Sequence, residues 1–360
     1  MRVGFATQDW SMGGRDLRGR PTLGGAGWYR CALPAKGLSE IGHTTVVGRL
    51  VAKKTTGEFC VATWGGAVID DLDIVVLQRC MQREVLEDMQ AAQALGQVIV
   101  NDVDDWFFGL DPTNRAFWGS HEKVNPRENR THYRKILQQS DLITVSTPYL
   151  AERLERFGRT VVIRNAIDLE RFSWGAEEEP LTVGWVGATA WRSGDLETLQ
   201  GVIGPFIRQH GMKFIHSGHA PNVQTAAEAL GLQEEEVIKR PMASIHDYPN
   251  LFGGITIGVV PLRLTAFNYS KSAIKGMEYA ASGIPFVAAH TPEYEWFGAP
   301  TARQPRDWRR ELERLLDPGE RARDSFVNFE RVQEEDISRR ASDWLNAYSQ
   351  VVRIKEEAPL

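Results

Sequence analysis

The sequence predicts an α/β protein made of two parallel-sheet halves, and three observations carry that expectation. Short apolar runs alternate with amphipathic segments in the first half of the chain, and the same alternation restarts in the second. Between them, residues 160–186 read as strand, turn, acidic Pro-ended stretch and strand again. At 360 residues, 42% hydrophobic and 25% charged, the chain is long enough for two domains that each bury a core.

In the first half the apolar runs predict strands at residues 2–6, 44–50, 74–78, 98–101 and 142–146, with helices at 28–41 and 84–95 among them. A strand at 160–163 leads into Arg164-Asn165-Ala166-Ile167-Asp168-Leu169-Glu170-Arg171-Phe172, whose Asn and Asp suit turn chemistry. Beyond it, strands at 181–186, 213–217, 236–239, 256–260 and 285–289 alternate with helices at 196–210, 223–230, 270–281 and 308–316. The last segment, 332–352, sets Ile337, Ala341, Trp344, Leu345, Tyr348 and Val352 on one helical face. Domain boundaries are placed at 1–172, 173–331 and 332–360.

Composition narrows the function classes. A formal net charge of -5 argues against a broad nucleic-acid grip, because non-specific affinity comes largely from phosphate neutralisation by Lys and Arg; a local basic cleft stays open. Cys31, Cys60 and Cys80 lack CxxC or metal spacing and read as reduced thiols of a cytoplasmic protein. The first strand starts within two residues of the N-terminus, leaving no room for a secretory leader. No apolar run approaches bilayer-spanning length.

Four segments carry candidate chemistry. Gly184-Trp185-Val186-Gly187-Ala188-Thr189 ends a strand in a glycine turn, where backbone can approach a phosphate closely, and Arg192 follows. Ser270-Lys271-Ser272 at an expected helix start offers hydroxyls, backbone N–H groups and a cation, the groups a diphosphate requires. Lys271 and Lys275 alternatively form a solvated face with Glu278. Gly24-Gly25-Ala26-Gly27-Trp28-Tyr29-Arg30 follows the first strand without GxGxxG spacing, so no dinucleotide site is read there. Residues 13–23 before it, rich in Gly and Arg, suit a flap.

Asp102-Val103-Asp104-Asp105 contains the letters of a DxD metal motif, but its place at a strand end of the first half points elsewhere. Asp104 or Asp105 can orient or deprotonate an attacking hydroxyl, or cap the next turn. Gln78-Arg79 ends the neighbouring strand. In His216-Ser217-Gly218-His219 the two histidines have no carboxylate or cysteine partner nearby in sequence and read as polar loop residues, not ligands. His121 and His132 receive no role.

The 164–172 run, together with Pro261-Leu262, Phe267 to Ser272, Lys275 and Glu278-Tyr279-Ala280-Ala281-Ser282-Gly283-Ile284-Pro285, resembles the GT-B glycosyltransferases, especially the retaining enzymes of family 4. The resemblance implies two Rossmann-like domains facing across a cleft, with the C-terminal helix crossing back to the N-terminal domain. It implies a metal-independent, retaining transfer of sugar from a nucleotide-diphosphate sugar to an acceptor hydroxyl, with no cofactor besides that donor substrate. Donor contacts then fall to Gly187, Thr189, Arg192, Gly218, Arg240, Met242, Ser270, Lys271, Ser272, Lys275 and Glu278. Acceptor contacts fall to Gly24, Gly25, Arg30, Arg79, Asp104 and Asp105, and the catalytic set is Asp104, Asp105, Arg192 and Lys271. The acceptor class stays open among glycan, protein, lipid-linked glycan and modified nucleic-acid base. Two departures stand out: Ser270 occupies the first glutamate position of the family's EX7E pattern, of which Glu278 is the second, and Ser193-Gly194 replaces its Lys-Gly. A nucleotide-sugar 2-epimerase and a non-catalytic nucleotide-sugar-binding module are the alternatives.

Overall fold

The computed structural model describes residues 1–15, 21–110, 112, 114–120, 129–175, 180–189, 194–220 and 223–357. The chain forms two compact units. Met1–Leu110, Phe117–Ala166 and Asp336–Leu360 make the first, and Ile167–Glu335 with Asp111–Ala116 the second.

The first unit contains β1 (Arg2–Thr7), a β2 (Trp10–Arg15) and β3 (Pro21–Leu23) hairpin, β4 (Thr44–Ala52), β5 (Phe59–Ala62), β6 (Val68–Ile69), β7 (Ile74–Gln78), β8 (Val98–Val103), β9 (Leu142–Val145) and β10 (Thr160–Val162). Its main sheet runs β10-β9-β8-β7-β1-β4-β5-β6, parallel except for the antiparallel β4-β5-β6 edge. β7 and β8 are buried along their whole length, which is why each opens on an unbroken apolar run, residues 74–77 and 98–100, and not on alternation. Helix Arg83–Ala94 packs Val85 and Met89 into a core with Val75, Leu77 and Ile99. Helix Ile337–Glu357 belongs to this unit and packs on helix Leu33–Glu40. A Cβ at Gly37 would stand 2.8 Å from Ile337 and 2.9 Å from Ala341, so glycine permits the close approach of those helices.

The second unit is a six-stranded parallel sheet, with β11 (Thr182–Val186), β12 (Lys213–His219), β13 (Val237–Pro241), β14 (Ile257–Val260), β15 (Phe286–Ala289) and β16 (Thr301–Ala302) in the order β13-β12-β11-β14-β15-β16. Its core gathers Trp185, Phe206, Phe214, Ile257, Tyr279 and Phe286.

Three helices differ from the sequence expectation. The helix expected at 270–281 starts later, as Ile274–Ala281, because a separate turn, Ala266–Tyr269, capped by Thr265, precedes it. The one expected at 196–210 is a 3-10 turn, Leu196–Leu199, and a helix, Ile203–His210, with Gly201 at φ 74 between them. The one expected at 332–352 is the end of Pro318–Gln333 followed by Ile337–Glu357. β5, β6 and β16 are too short for a periodic signal to show.

Candidate functional site

In a doubly wound sheet, ligands bind outside the carboxyl ends of the strands where strand order reverses. In the first unit that place lies between β1 and β7. Asp9 follows β1, Arg79 follows β7, and Asp104 and Asp105 follow β8. Arg79 gathers all three carboxylates: Nη1 lies 3.1 Å from Asp9 Oδ1, and Nη2 lies 3.1 Å from Asp104 Oδ2 and 3.0 Å from Asp105 Oδ2. Burial opposes the guanidinium's charge, and Asp104, Asp9 and Asp105 outweigh it, so Arg79 stays protonated. Arg79 has φ 58, a left-handed conformation that costs a non-glycine residue roughly 1–3 kcal/mol and persists only where its surroundings hold it. Behind it, Thr7 Oγ1 donates to Gln78 Oε1 at 2.6 Å, and Gln78 Nε2 donates to Asp104 Oδ1 at 3.3 Å.

Burial pushes the Asp104 carboxyl up to about 6; Arg79 opposes the rise, while Asp105 and Asp9 add to it. This leaves a carboxylate able to take or release a proton near neutrality. Gly24 belongs to the same cluster. Its N–H donates to Asp9 O at 2.8 Å, and a Cβ there would stand 2.5 Å from the Asp9 carboxylate. Gly27 N–H donates to Asp9 Oδ2 at 2.9 Å, whereas Gly25 has open space where a Cβ would be.

Arg30 is a correction. It is fully buried, with Nε and Nη2 donating to Asp102 Oδ1 and Oδ2 at 2.8 and 2.7 Å and Nη1 to Ile163 O and Asn165 Oδ1 at 2.7 and 2.9 Å. With no surface it meets no acceptor; it ties the strand ends to the start of the 164–172 run. The same pair separates the DxD letters, since Asp102 faces Arg30 while Asp104 faces Arg79. Among the described residues, no three His, Cys, Asp or Glu side chains are grouped to hold a metal ion.

In the second unit, strand order reverses between β11 and β14. Gly187 N–H donates to Ser217 O at 2.8 Å, and His216 Nε2 lies 2.9 Å from Gly187 O. A carbonyl only accepts, so that nitrogen carries the hydrogen, and burial lowers the His216 pKa toward the neutral ring. Gly218 has φ 111, and a Cβ there would come 2.6 Å from Gly187 O; glycine alone allows these strand ends to meet. Asp195, after β11, accepts at Oδ1 from two groups after β14, Arg263 N at 2.9 Å and Asn268 Nδ2 at 2.8 Å. That bracing leads to Lys271, half-buried with its ammonium 4.6 Å from the Phe267 ring centre, and to half-buried Ser272.

One donor assignment is corrected. Ser270 is fully buried and its hydroxyl donates to Phe267 O at 2.6 Å. Lys275 is buried, its ammonium 2.6 Å from Oε2 of Glu278, which is buried beside it, so the two side chains form one ion pair. Tyr248 OH donates to the same oxygen at 2.9 Å. Thr189 turns its hydroxyl to Gln224 O at 2.7 Å, Arg240 bonds Gly253 O, and Met242 is exposed. Arg192 lies outside the described residues.

Sequence reasoning missed Asp9 and Tyr248. Asp9 carried a usable signal, an acidic residue at the end of the first strand just before a glycine-rich segment. Tyr248 reaches Glu278 from 30 residues away and carried none. Glu278→Gln is expected to weaken nucleoside-diphosphate binding by about 1–3 kcal/mol, the range for losing a charged hydrogen-bond partner. Calorimetry on the folded variant checks this, and unchanged affinity would make Glu278 purely a partner of Lys275 and Tyr248.

No family model matches the sequence, and no curated protein does. Solved structures do match. A sucrose-phosphate synthase from Thermosynechococcus elongatus aligns over 98% of this chain and 100% of its own, with TM-score 0.68 and 13% identity. The fold is GT-B. Anabaena HepE, solved with UDP and glucose, covers 97% and 99% of the two chains at TM-score 0.63 and 12% identity. The trehalose 6-phosphate synthase of Burkholderia multivorans covers 98% and 99% at 0.60 and 12%. Among the described residues, no helix is long and apolar enough to cross a membrane.

Proposed function

We propose that this GT-B protein transfers a sugar from a nucleoside-diphosphate sugar to an acceptor hydroxyl, retaining the anomeric configuration and needing no metal. One observation carries the reading. The carboxyl ends of β11 and β14, where strand order reverses, lead into the Gly187 turn and into half-buried Lys271 and Ser272, which offer the backbone N–H groups, cation and hydroxyl that a diphosphate requires. Lys271 after β14 and Arg192 after β11 supply the cations that meet leaving-group charge as it develops. The second unit is thus the donor side, with Ser272, Arg240, Met242 and Glu278 as further contacts. The first unit is the acceptor side, with Asp104 positioning or deprotonating the hydroxyl and Arg79 holding Asp104. Retention rests on the resemblance to family 4. UDP and glucose in the HepE structure make UDP the first nucleotide to try.

Lys271→Ala and Arg192→Ala are each expected to weaken binding of UDP about tenfold or more while leaving uridine nearly unaffected, because only the diphosphate carries the charge they meet. Calorimetry with both ligands, with EDTA present, makes the comparison. Equal losses for both would assign these residues to fold or base contact. Turnover assays with EDTA test the metal-independent step, which is overturned by complete loss that manganese or magnesium restores. Sugar interconversion without acceptor would replace transfer by epimerisation, and binding without turnover would leave a nucleotide-sugar-binding module.

A further inference from the structure

Past the acid cluster of the first unit, where the Arg79 guanidinium lies 5.5 Å from the Phe107 ring centre, stands a row of arginines and aromatic rings. Phe108 follows β8; Arg130 and Arg134 project from helix Asn129–Gln139 over its ring, with guanidinium carbons 5.5 and 5.7 Å from the ring centre. Phe157 lies 5.8 Å from Phe108, centre to centre, and Arg156 stands 4.8 Å over it. One helical turn back, Arg153 stacks on Tyr149 at 3.3 Å. Arg134, Arg156 and Arg159 are exposed, and Arg134 and Arg156 enter no ion pair among the described residues. The carboxylates in residues 148–159 are Glu152, 3.9 Å from Arg153, and Glu155, both exposed. In a chain of net charge -5 this is a local reversal of sign.

We propose that this arginine-over-aromatic ridge is a docking surface for the phosphate backbone of a nucleic acid. Charge complementarity is the first argument: guanidinium groups on helix Asn129–Gln139 and in the turn after helix Pro148–Leu154, held over rings, present forked donors to phosphates at reduced entropic cost. The second separates a nucleic acid from an anionic membrane. Interfacial binding needs exposed apolar side chains to enter the acyl boundary, and none of the exposed large apolar residues lies in this ridge, where Phe108 and Phe157 are half-buried beneath guanidinium groups. The rings are covered, so base stacking is not offered and binding is independent of sequence. The inference stands apart from the transfer reading, because it uses no residue of either half-site.

The full chain titrated into a fluorescent duplex of about 20 base pairs by anisotropy, from about 50 to 200 mM salt, is the test. Weak binding with log affinity falling linearly in log salt is expected. Arg134→Ala with Arg156→Ala should lower the affinity at low salt about tenfold or more and make the slope shallower by about 2, one for each phosphate no longer neutralised. Arg134→Lys with Arg156→Lys keeps the charge and should keep most of the slope. An unchanged urea midpoint in the alanine variant reports intact folding. No duplex binding at low salt, equal binding by the alanine variant, or binding to phosphatidylserine vesicles without binding to duplex would each overturn the proposal.

Discussion

Replacing Asp102 with Ala is expected to remove about 3–5 kcal/mol of stability, the cost of leaving one partner of a buried ion pair uncompensated. Both side chains of the Arg30–Asp102 pair have no solvent exposure. Asp102 also accepts from Thr144 Oγ1 at 2.7 Å, and the Arg30 guanidinium lies 5.8 Å from the Trp344 ring centre on the returning C-terminal helix. One carboxylate therefore anchors β8, β9 and, through Arg30, the chain at Ile163 and Asn165. Removing it strands the guanidinium with two neutral acceptors. Against a total stability of about 5–15 kcal/mol, that is a large fraction. Urea denaturation checks it as a lower midpoint at unchanged slope. Arg30→Met with Asp102→Leu should recover much of the loss, since both desolvated charges then disappear. An Asp102→Ala protein with the parent midpoint would show that the pair contributes nothing net.

Asp104→Asn is expected to cut transfer about 10²-fold or more, the usual scale for losing a general base or hydroxyl-orienting carboxylate, with UDP affinity nearly unchanged. The pH dependence gives a second readout. The carboxyl is raised to about 6 from its ordinary value of 3.8. Activity that needs the ionised form should therefore rise with pH through about 6 in the parent protein, and that acid limb should vanish in Asp104→Asn. Stability runs the opposite way. A folded pKa above the unfolded one means the folded state holds the proton more tightly, so this group's contribution is full below 3.8 and is lost as pH rises through about 6. Asp105→Asn, made separately, distinguishes a reacting carboxylate from one that only shares Arg79. Normal transfer by both single variants would remove the acid cluster from the reaction, and lost UDP binding would place it on the nucleotide side.

What the sequence determined by itself is the alternation. Residues 74–78 and 286–289 lie on strands because buried parallel strands demand uninterrupted β-branched and apolar side chains, and that demand is written locally. The glycine turn after residue 186 was legible as well, whereas the close approach of Gly218 to the Gly187 carbonyl appears only in the fold. The roles of charged side chains were not legible, because an arginine's letter is the same whether it faces water or a buried carboxylate. Arg30 lies in the helical stretch before Leu33 and is fully buried against Asp102, while Arg79, just after β7, gathers Asp9, Asp104 and Asp105. The partners of Arg30 and Arg79 lie 70 or more residues away, apart from Asp104 and Asp105 at 25 and 26. Only the parallel sheet brings those strand ends together, and only that packing decides which carboxylate is wholly buried against Arg30 and which are partly exposed around Arg79.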